Sequence, residues 1–301
     1  MWRPLGTTEA LTTDGYSEAM SDVPSRDLRD LNDPVVVVAF GGWNDAGNAA
    51  TGAVEHLSEI YDAESVFSLD PDDFYDFQVN RPMVQLDDDD VRELVWPTTE
   101  LRIAELPDGR ALVLVNGLEP NLRWRQFCTL ITSALTSANV QRVHLLGALL
   151  ADTPHTRPIP VSTSTGNPGL MTSMGLAPPT YEGPTGIVGV LGDSLERSGV
   201  QVLSSWAAVP HYVSHPPCPK ATLALLSQLE QLLDAPLDLG ELPELARAWE
   251  RGVDELAAED SEVAEYVSSL EQQQDAADLP EASGDVIAAE FERYLRRRQG
   301  N

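Results

Sequence analysis

Positive charge, cysteine and long apolar runs are all scarce in this sequence, and each scarcity removes a class of function. Nineteen basic residues stand against 48 acidic ones among 301, a formal net charge of -29, and Lys220 is the single lysine. Such a surface repels nucleic acid and anionic lipid wherever salt does not screen it, so neither is an expected partner. The two cysteines, Cys128 and Cys218, lie far apart in unlike surroundings and read as free thiols of a reducing compartment. No apolar run nears the roughly 18 residues that a membrane helix needs, so no membrane association is expected. The first twenty residues offer Arg3 alone as a basic group and no apolar signal core, which points to the cytoplasm. No repeat of solenoid length is present.

What is present is an alternation of buried strands and amphipathic helices. Val35 to Phe40 is an unbroken, β-branched run, as in a strand covered on both faces. Glycines follow at once, and Ala50, Val54, Leu57 and Tyr61 then recur at helical spacing. The same unit returns as the Ala111 to Val115 strand, the Asn116 to Pro120 turn and a helix marked by Trp124, Phe127, Ile131 and Leu135. Val143 to Leu150 reads as a third strand and Gln201 to Val209 as the last, with a helix between them from Ile187 to a Ser198-Gly199 stop. Val95 and Leu101 to Leu106, before Pro107-Asp-Gly109, read as a hairpin entering the Ala111 strand, so the sheet is expected to be mixed. A helix opened by Pro219 closes the sheet domain near Pro236. Residues 1–32 show no periodicity and read as a loose arm, residues 33–236 as the α/β domain, and residues 237–301 as an acidic helical appendage of three short patterns. The last of these patterns runs from Ile287 to Leu295.

The chemistry-bearing residues gather after strands. Gly41-Gly-Trp-Asn-Asp-Ala-Gly47 joins a buried strand to a helix start, where free N–H groups receive anions, so Trp43, Asn44 and Asp45 are binding candidates. Asn44 or Asp45 can equally cap that helix. The loop lacks the lysine of a phosphate-binding loop and the glycine spacing of a dinucleotide fingerprint, and no cofactor is expected. Asp152, His155 and Arg157 leave the third strand together, offering a carboxylate, an imidazole and a guanidinium, though no nucleophile is assigned to them. Hydrogen bonding within the loop is the alternative use. Glu182 precedes a helix, and His211 follows the last strand with Tyr212 beside it. His211 and His215 have helical metal spacing, but Pro210, Pro216 and Pro217 deny them a helix, and the Asp87 to Asp90 run lacks a calcium loop's glycine and glutamate, so no metal is expected.

Four segments in order, Gly41-Gly-Trp-Asn-Asp-Ala-Gly47, Leu146 to Pro158, Tyr181-Glu-Gly-Pro-Thr-Gly186 and Trp206 to Val213, resemble the proteasome assembly chaperone type 2 family in its bacterial, actinobacterial branch. The resemblance implies a three-layer α/β/α fold with a mixed, largely parallel sheet like that of phosphorylases and peptidyl hydrolases. It also implies self-association, with a trimer as one arrangement, and proteasome subunits as partners. Archaeal relatives dock through a C-terminal hydrophobic-tyrosine motif, which Arg298-Gln-Gly-Asn301 does not match. Two functions remain open: a homo-oligomeric scaffold or chaperone, and a hydrolase- or nucleoside-phosphorylase-like enzyme or small-ligand binder using the polar loops.

Overall fold

Val35 to Gly41 carries no polar side chain and is buried at every position, and that strand, β1, is the centre about which the sheet is built. In the computed structural model, which describes residues 28, 31, 33–86, 90–213 and 215–278, β1 is flanked by two parallel neighbours. They are β6 (Ala111–Leu118) and β7 (Arg142–Ala151), and β7 pairs in parallel with β9 (Gln201–Pro210). Antiparallel strands finish both margins. On one side lie β5 (Thr99–Glu105) and β2 (Glu64–Ser68), on the other β8 (Val161–Ser164), giving the order β2-β5-β6-β1-β7-β9-β8. The expected mixed, largely parallel sheet is thus observed. β2 and β8 were not read from the sequence, because β2 is largely exposed and β8 is mostly Ser and Thr, so neither shows a buried run.

The hairpin expected across Pro107-Asp-Gly109 joins β5 to β6. Val95 belongs elsewhere. It ends β4 (Arg92–Val95), which pairs with β3 (Met83–Leu86) in a separate two-stranded ribbon, and Trp96-Pro97 breaks the chain before β5.

Successive strand residues point to opposite faces, and the two cores follow that alternation. Val35, Val37 and Ala39 join α1 (Ala49–Ile60), α6 (Pro219–Leu233) and the start of α7 (Leu242–Glu259) on one face. Val36, Val38 and Phe40 join α3 (Trp124–Ser137) and α5 (Ile187–Arg197) on the other. Short helices α2 (Pro71–Phe74) and α4 (Pro168–Met174) sit in connections, and α8 (Ser261–Asp278) follows α7 after Asp260 alone. Of the appendage patterns, two are helices here; Ile287 to Leu295 and nearly all of the 1–32 arm lie outside the described residues, except that Leu28 and Leu31 pack on the second core.

The connection after β1 leaves to the α1 face, whereas those after β6 and β7 leave to the α3 and α5 face. The strand order therefore switches direction at β1, and the crevice that ligands favour in such sheets lies above its C-terminal end. The second core is fixed there by Phe127, fully buried and edge-to-face with Phe40 at 5.6 Å and Phe74 at 5.4 Å. Phe127→Ala is expected to lower the unfolding free energy by about 3–5 kcal/mol in urea titration, because the rings of Phe40 on β1 and Phe74 on α2 lose their common neighbour.

Candidate functional site

The Gly41 to Gly47 loop is held by its own backbone before any side chain acts. Gly47 has a positive φ of 63°, and a β-carbon there would stand 2.7 Å from that of Cys218, whose N–H donates to the Gly47 carbonyl at 2.8 Å. The loop is thereby pinned to the start of α6. Asn44 carbonyl accepts from the Ala148 N–H at 2.8 Å, which pins it to β7 as well.

Asp45 is buried and turned inward. Its carboxylate accepts from the Ala50 N–H at 2.7 Å, from the Thr51 N–H at 3.3 Å and from the Thr51 hydroxyl. These are the unpaired donors of the first turn of α1, since Asn48, at the cap position, is left-handed and makes no side-chain cap bond. Burial raises the Asp45 carboxyl pKa above its ordinary value, and the three hydrogen bonds only partly offset it.

Asn44 is buried on the other face of the loop. Its amide donates to Glu119 Oε1 at 3.0 Å, and the same oxygen accepts the Ile187 N–H at 2.8 Å, at the first turn of α5. Gly186 leaves the space for this arrangement, as a β-carbon there would overlap the Asn44 amide. Glu119 was not singled out from the sequence. It lies in what reads as a plain turn after β6, and its β-strand partner loop is 75 residues away. The start of α1, which was expected to offer N–H groups to a ligand, is thus occupied by the chain's own Asp45, and the start of α5 is occupied likewise by Glu119.

A second group forms above β7 and β9, where α7 and α8 lie across the loops. His155 is 1% exposed; its Nδ1 meets the Tyr212 hydroxyl at 2.8 Å and its Nε2 meets Asp254 Oδ1 of α7 at 3.1 Å. The Tyr212 oxygen also accepts the His155 backbone N–H at 2.8 Å. With a neutral ring, the Tyr212 hydroxyl donates to Nδ1 and Nε2–H donates to Asp254. Burial pushes the Tyr212 phenol up to about 12, so it serves as a donor rather than as a phenolate. Lys220 donates to the His155 carbonyl and, at 2.5 Å, to Glu250. Asp152 accepts from Tyr266 at 3.1 Å and stands 3.1 Å from His211 Nδ1. Arg157 holds Asp275 with two donors, at 2.8 and 2.9 Å, and Asp275 together with Glu271, 3.2 Å away, raises its already high pKa further.

The sequence candidates therefore fall into two sets. Asn44 and Asp45 stand with Glu119 beside β1. Asp152, His155, Arg157 and His211 stand together above β7 and β9 with Tyr212, Lys220 and the acidic side chains of α7 and α8. Glu182 is exposed and joins neither set. Trp43 precedes the buried Asn44 and Asp45 yet is 65% exposed, and Leu118, Leu122 and Tyr181 are exposed at the same sheet edge. A shallow cleft of about 210 Å³ opens at the opposite edge, between Leu106 to Asp108 and Ala235 to Leu237, away from both sets. Burial pushes both cysteine thiols up to about 11, which leaves them unsuited to nucleophilic work. No described helix is long and apolar enough to cross a membrane.

A three-layer α/β protein with a self-bonded polar edge and an exposed aromatic beside it is the class this geometry defines. The chain belongs to the PAC2 family, whose model matches residues 39–257. It is 56% identical to a PAC2 family protein from Streptomyces avermitilis, with a TM-score of 0.73 over 78% of this chain and 100% of that one. It is 49% identical to a Mycobacterium tuberculosis proteasome-assembly chaperone homologue, with a TM-score of 0.70 over 77% and 99% of the two chains. An archaeal proteasome activator from Pyrococcus furiosus shares the fold at 18% identity, with a TM-score of 0.59 over 75% of this chain and 94% of that one. No curated protein matches the chain.

Asp45→Ala leaves two buried N–H groups without an acceptor and is expected to lower the unfolding free energy by about 2 kcal/mol, whereas Asp45→Asn, which keeps one acceptor oxygen, should lose about 1 kcal/mol or less. The folded-state pKa of Asp45 is raised, so the native protein binds its proton more readily than the unfolded chain does. Lowering the pH through the carboxylate range should therefore move the stability difference in favour of the unsubstituted protein over Asp45→Asn, as read by denaturant titration at several pH values.

Proposed function

We propose that the chain is a cytoplasmic, homo-oligomeric scaffold or chaperone that binds a protein partner, with proteasome subunits as first candidates and a trimer as the arrangement to test. The observation that carries this reading is the contrast at the sheet edge. Polar side chains there are spent on one another, while Trp43, Leu118, Leu122 and Tyr181 are exposed large side chains along the same edge, a rim of apolar character. Aromatic side chains of this kind supply contact area at low entropic cost and are enriched where proteins meet.

The β3-β4 ribbon adds to it. Every residue of both strands is exposed, and Met83, Val84, Leu86, Leu94 and Val95 are among the large apolar ones. An isolated two-stranded ribbon is marginal in water, so cover from another chain would stabilise it. The net charge of -29 favours encounter with basic surfaces.

The enzymatic reading, a hydrolase- or phosphorylase-like activity at the polar loops, has less support. A general base needs access to substrate, and His155 is 1% exposed with both ring nitrogens engaged.

Trp43→Ala and Tyr181→Ala together should leave thermal stability within the ordinary range of surface substitutions, about 0.5 kcal/mol each. The same pair should reduce capture of proteasome subunits from source cells and, if the rim joins copies, the mass seen by light scattering. Capture of no proteasome subunit by the unsubstituted protein, together with normal proteasome assembly in a deletion strain, would sink the proposal.

A further inference from the structure

Helix α8 is attached to the rest of the molecule largely by polar contacts at its surface. Val267 and Leu270 are its buried apolar side chains among the described residues. Otherwise Tyr266 donates to Asp152, Glu271 accepts from Thr156 at 2.5 Å and from Arg157 at 3.2 Å, Asp275 is clasped by Arg157, and Gln274 donates to the Pro158 carbonyl at 3.3 Å. Glu271 and Asp275 are one helical turn apart, which brings both carboxylates to one guanidinium. Exposed pairs of this kind hold weakly in water.

The link to α7 is a single extended residue, Asp260, with φ -123° and ψ 112°. Rotation there alone moves α8 without disturbing the packing of α7 on α6. The helix itself carries five acidic residues and no basic one, in a chain already short of cations. Beneath it lies a ledge made by Asp152 to Pro158 and by His211 and Tyr212, in which Asp152 is turned to Tyr266 and His211 and Arg157 is the cation that selects carboxylates. The Tyr266 ring packs edge-on against those of His211 and Tyr212, at 5.6 and 6.0 Å.

We propose that this ledge is a docking site for an acidic amphipathic helix of a protein partner, and that α8 occupies it in cis as a displaceable strap. The recognised pattern is that of α8: an aromatic residue, two apolar residues at helical spacing, and two carboxylates one turn apart for Arg157. Bound in cis, α8 competes with the partner's helix, so partner binding is weakened by whatever fraction of molecules keeps the strap closed. The proposal rests on the reading of the chain as a binding protein, but its site is distinct from the apolar rim around Trp43.

The test uses the full chain and, as probe, a labelled synthetic peptide with the sequence of residues 261–278. Glu271→Gln with Asp275→Asn weakens the strap and leaves the ledge intact. This double variant should exchange amide hydrogens faster across residues 262–276 and bind the peptide about tenfold more tightly than the unsubstituted protein does. Adding Arg157→Gln to the double variant should keep the fast exchange and abolish the gain in peptide affinity. Unchanged exchange in the double variant would overturn the proposal, as would fast exchange without a gain in peptide binding, or a gain that survives Arg157→Gln. Mutual exchange of α8 between two copies would appear as a doubled mass by light scattering that the peptide does not reverse, and it too would overturn a partner-helix site. Because the probe is a peptide, these failures leave the capture experiment with proteasome subunits standing on its own.

Discussion

Two carboxylates, Asp45 buried and Glu119 half-buried, hold the working edge of this sheet together. Asp45 closes the first turn of α1 on one face, and Glu119 closes that of α5 on the other, so the loop after β1 is tied to helices in both outer layers. A helix start presents unpaired donors and the positive end of the peptide dipoles, and a carboxylate satisfies both at once. Burial opposes the charge, as the raised Asp45 pKa records. The arrangement persists because β1, a strand without a single polar side chain, and the parallel strands beside it leave these loops no other place to go.

That constraint decides what the edge is free to do. In a sheet of this topology the helix starts near the switch of strand order are the usual anion-binding positions. Here they are filled internally, in keeping with a chain that carries 48 acidic residues against 19 basic ones. The same economy governs the neighbouring loops, where the scarce cations are matched to carboxylates of α7 and α8: Lys220 to Glu250, Arg157 to Glu271 and Asp275. His155 lies below them, its ring bridging Tyr212 of the sheet domain to Asp254 of α7, so it serves as a fastener between elements.

The parallel strands, the glycine loop and the clustering of Asp152, His155, Arg157 and His211 were legible because apolar runs and the local punctuation of glycine and proline carry them. Less legible were the partners. Glu119 is one acidic residue in a turn, and Asp254, Glu271 and Asp275 are three among many in an acidic segment roughly 100 residues from the groups they hold. Local sequence marks which residues are polar and near a strand end, but pairing across such separations is set by packing. The outermost strands, β2 and β8, were missed for a related reason. Half-exposed strands need only one apolar face, and β8, with Ser162, Thr163 and Ser164, shows hardly any.

Trp43 sharpens the division of labour at this edge. Its neighbours Asn44 and Asp45 are buried and committed to Glu119 and to α1, so substitution of either disturbs the fold. Trp43 is mostly exposed, on a backbone made rigid by those neighbours and by the Gly47 contact with α6. A large aromatic side chain on a rigid loop loses little entropy when it is covered, which is the condition for a strong anchor in an interface. The structural residues of the loop therefore prepare the exposed one. A loop that looks like a ligand cradle in sequence works here as a mount, with its polar groups turned inward and its one large side chain turned out.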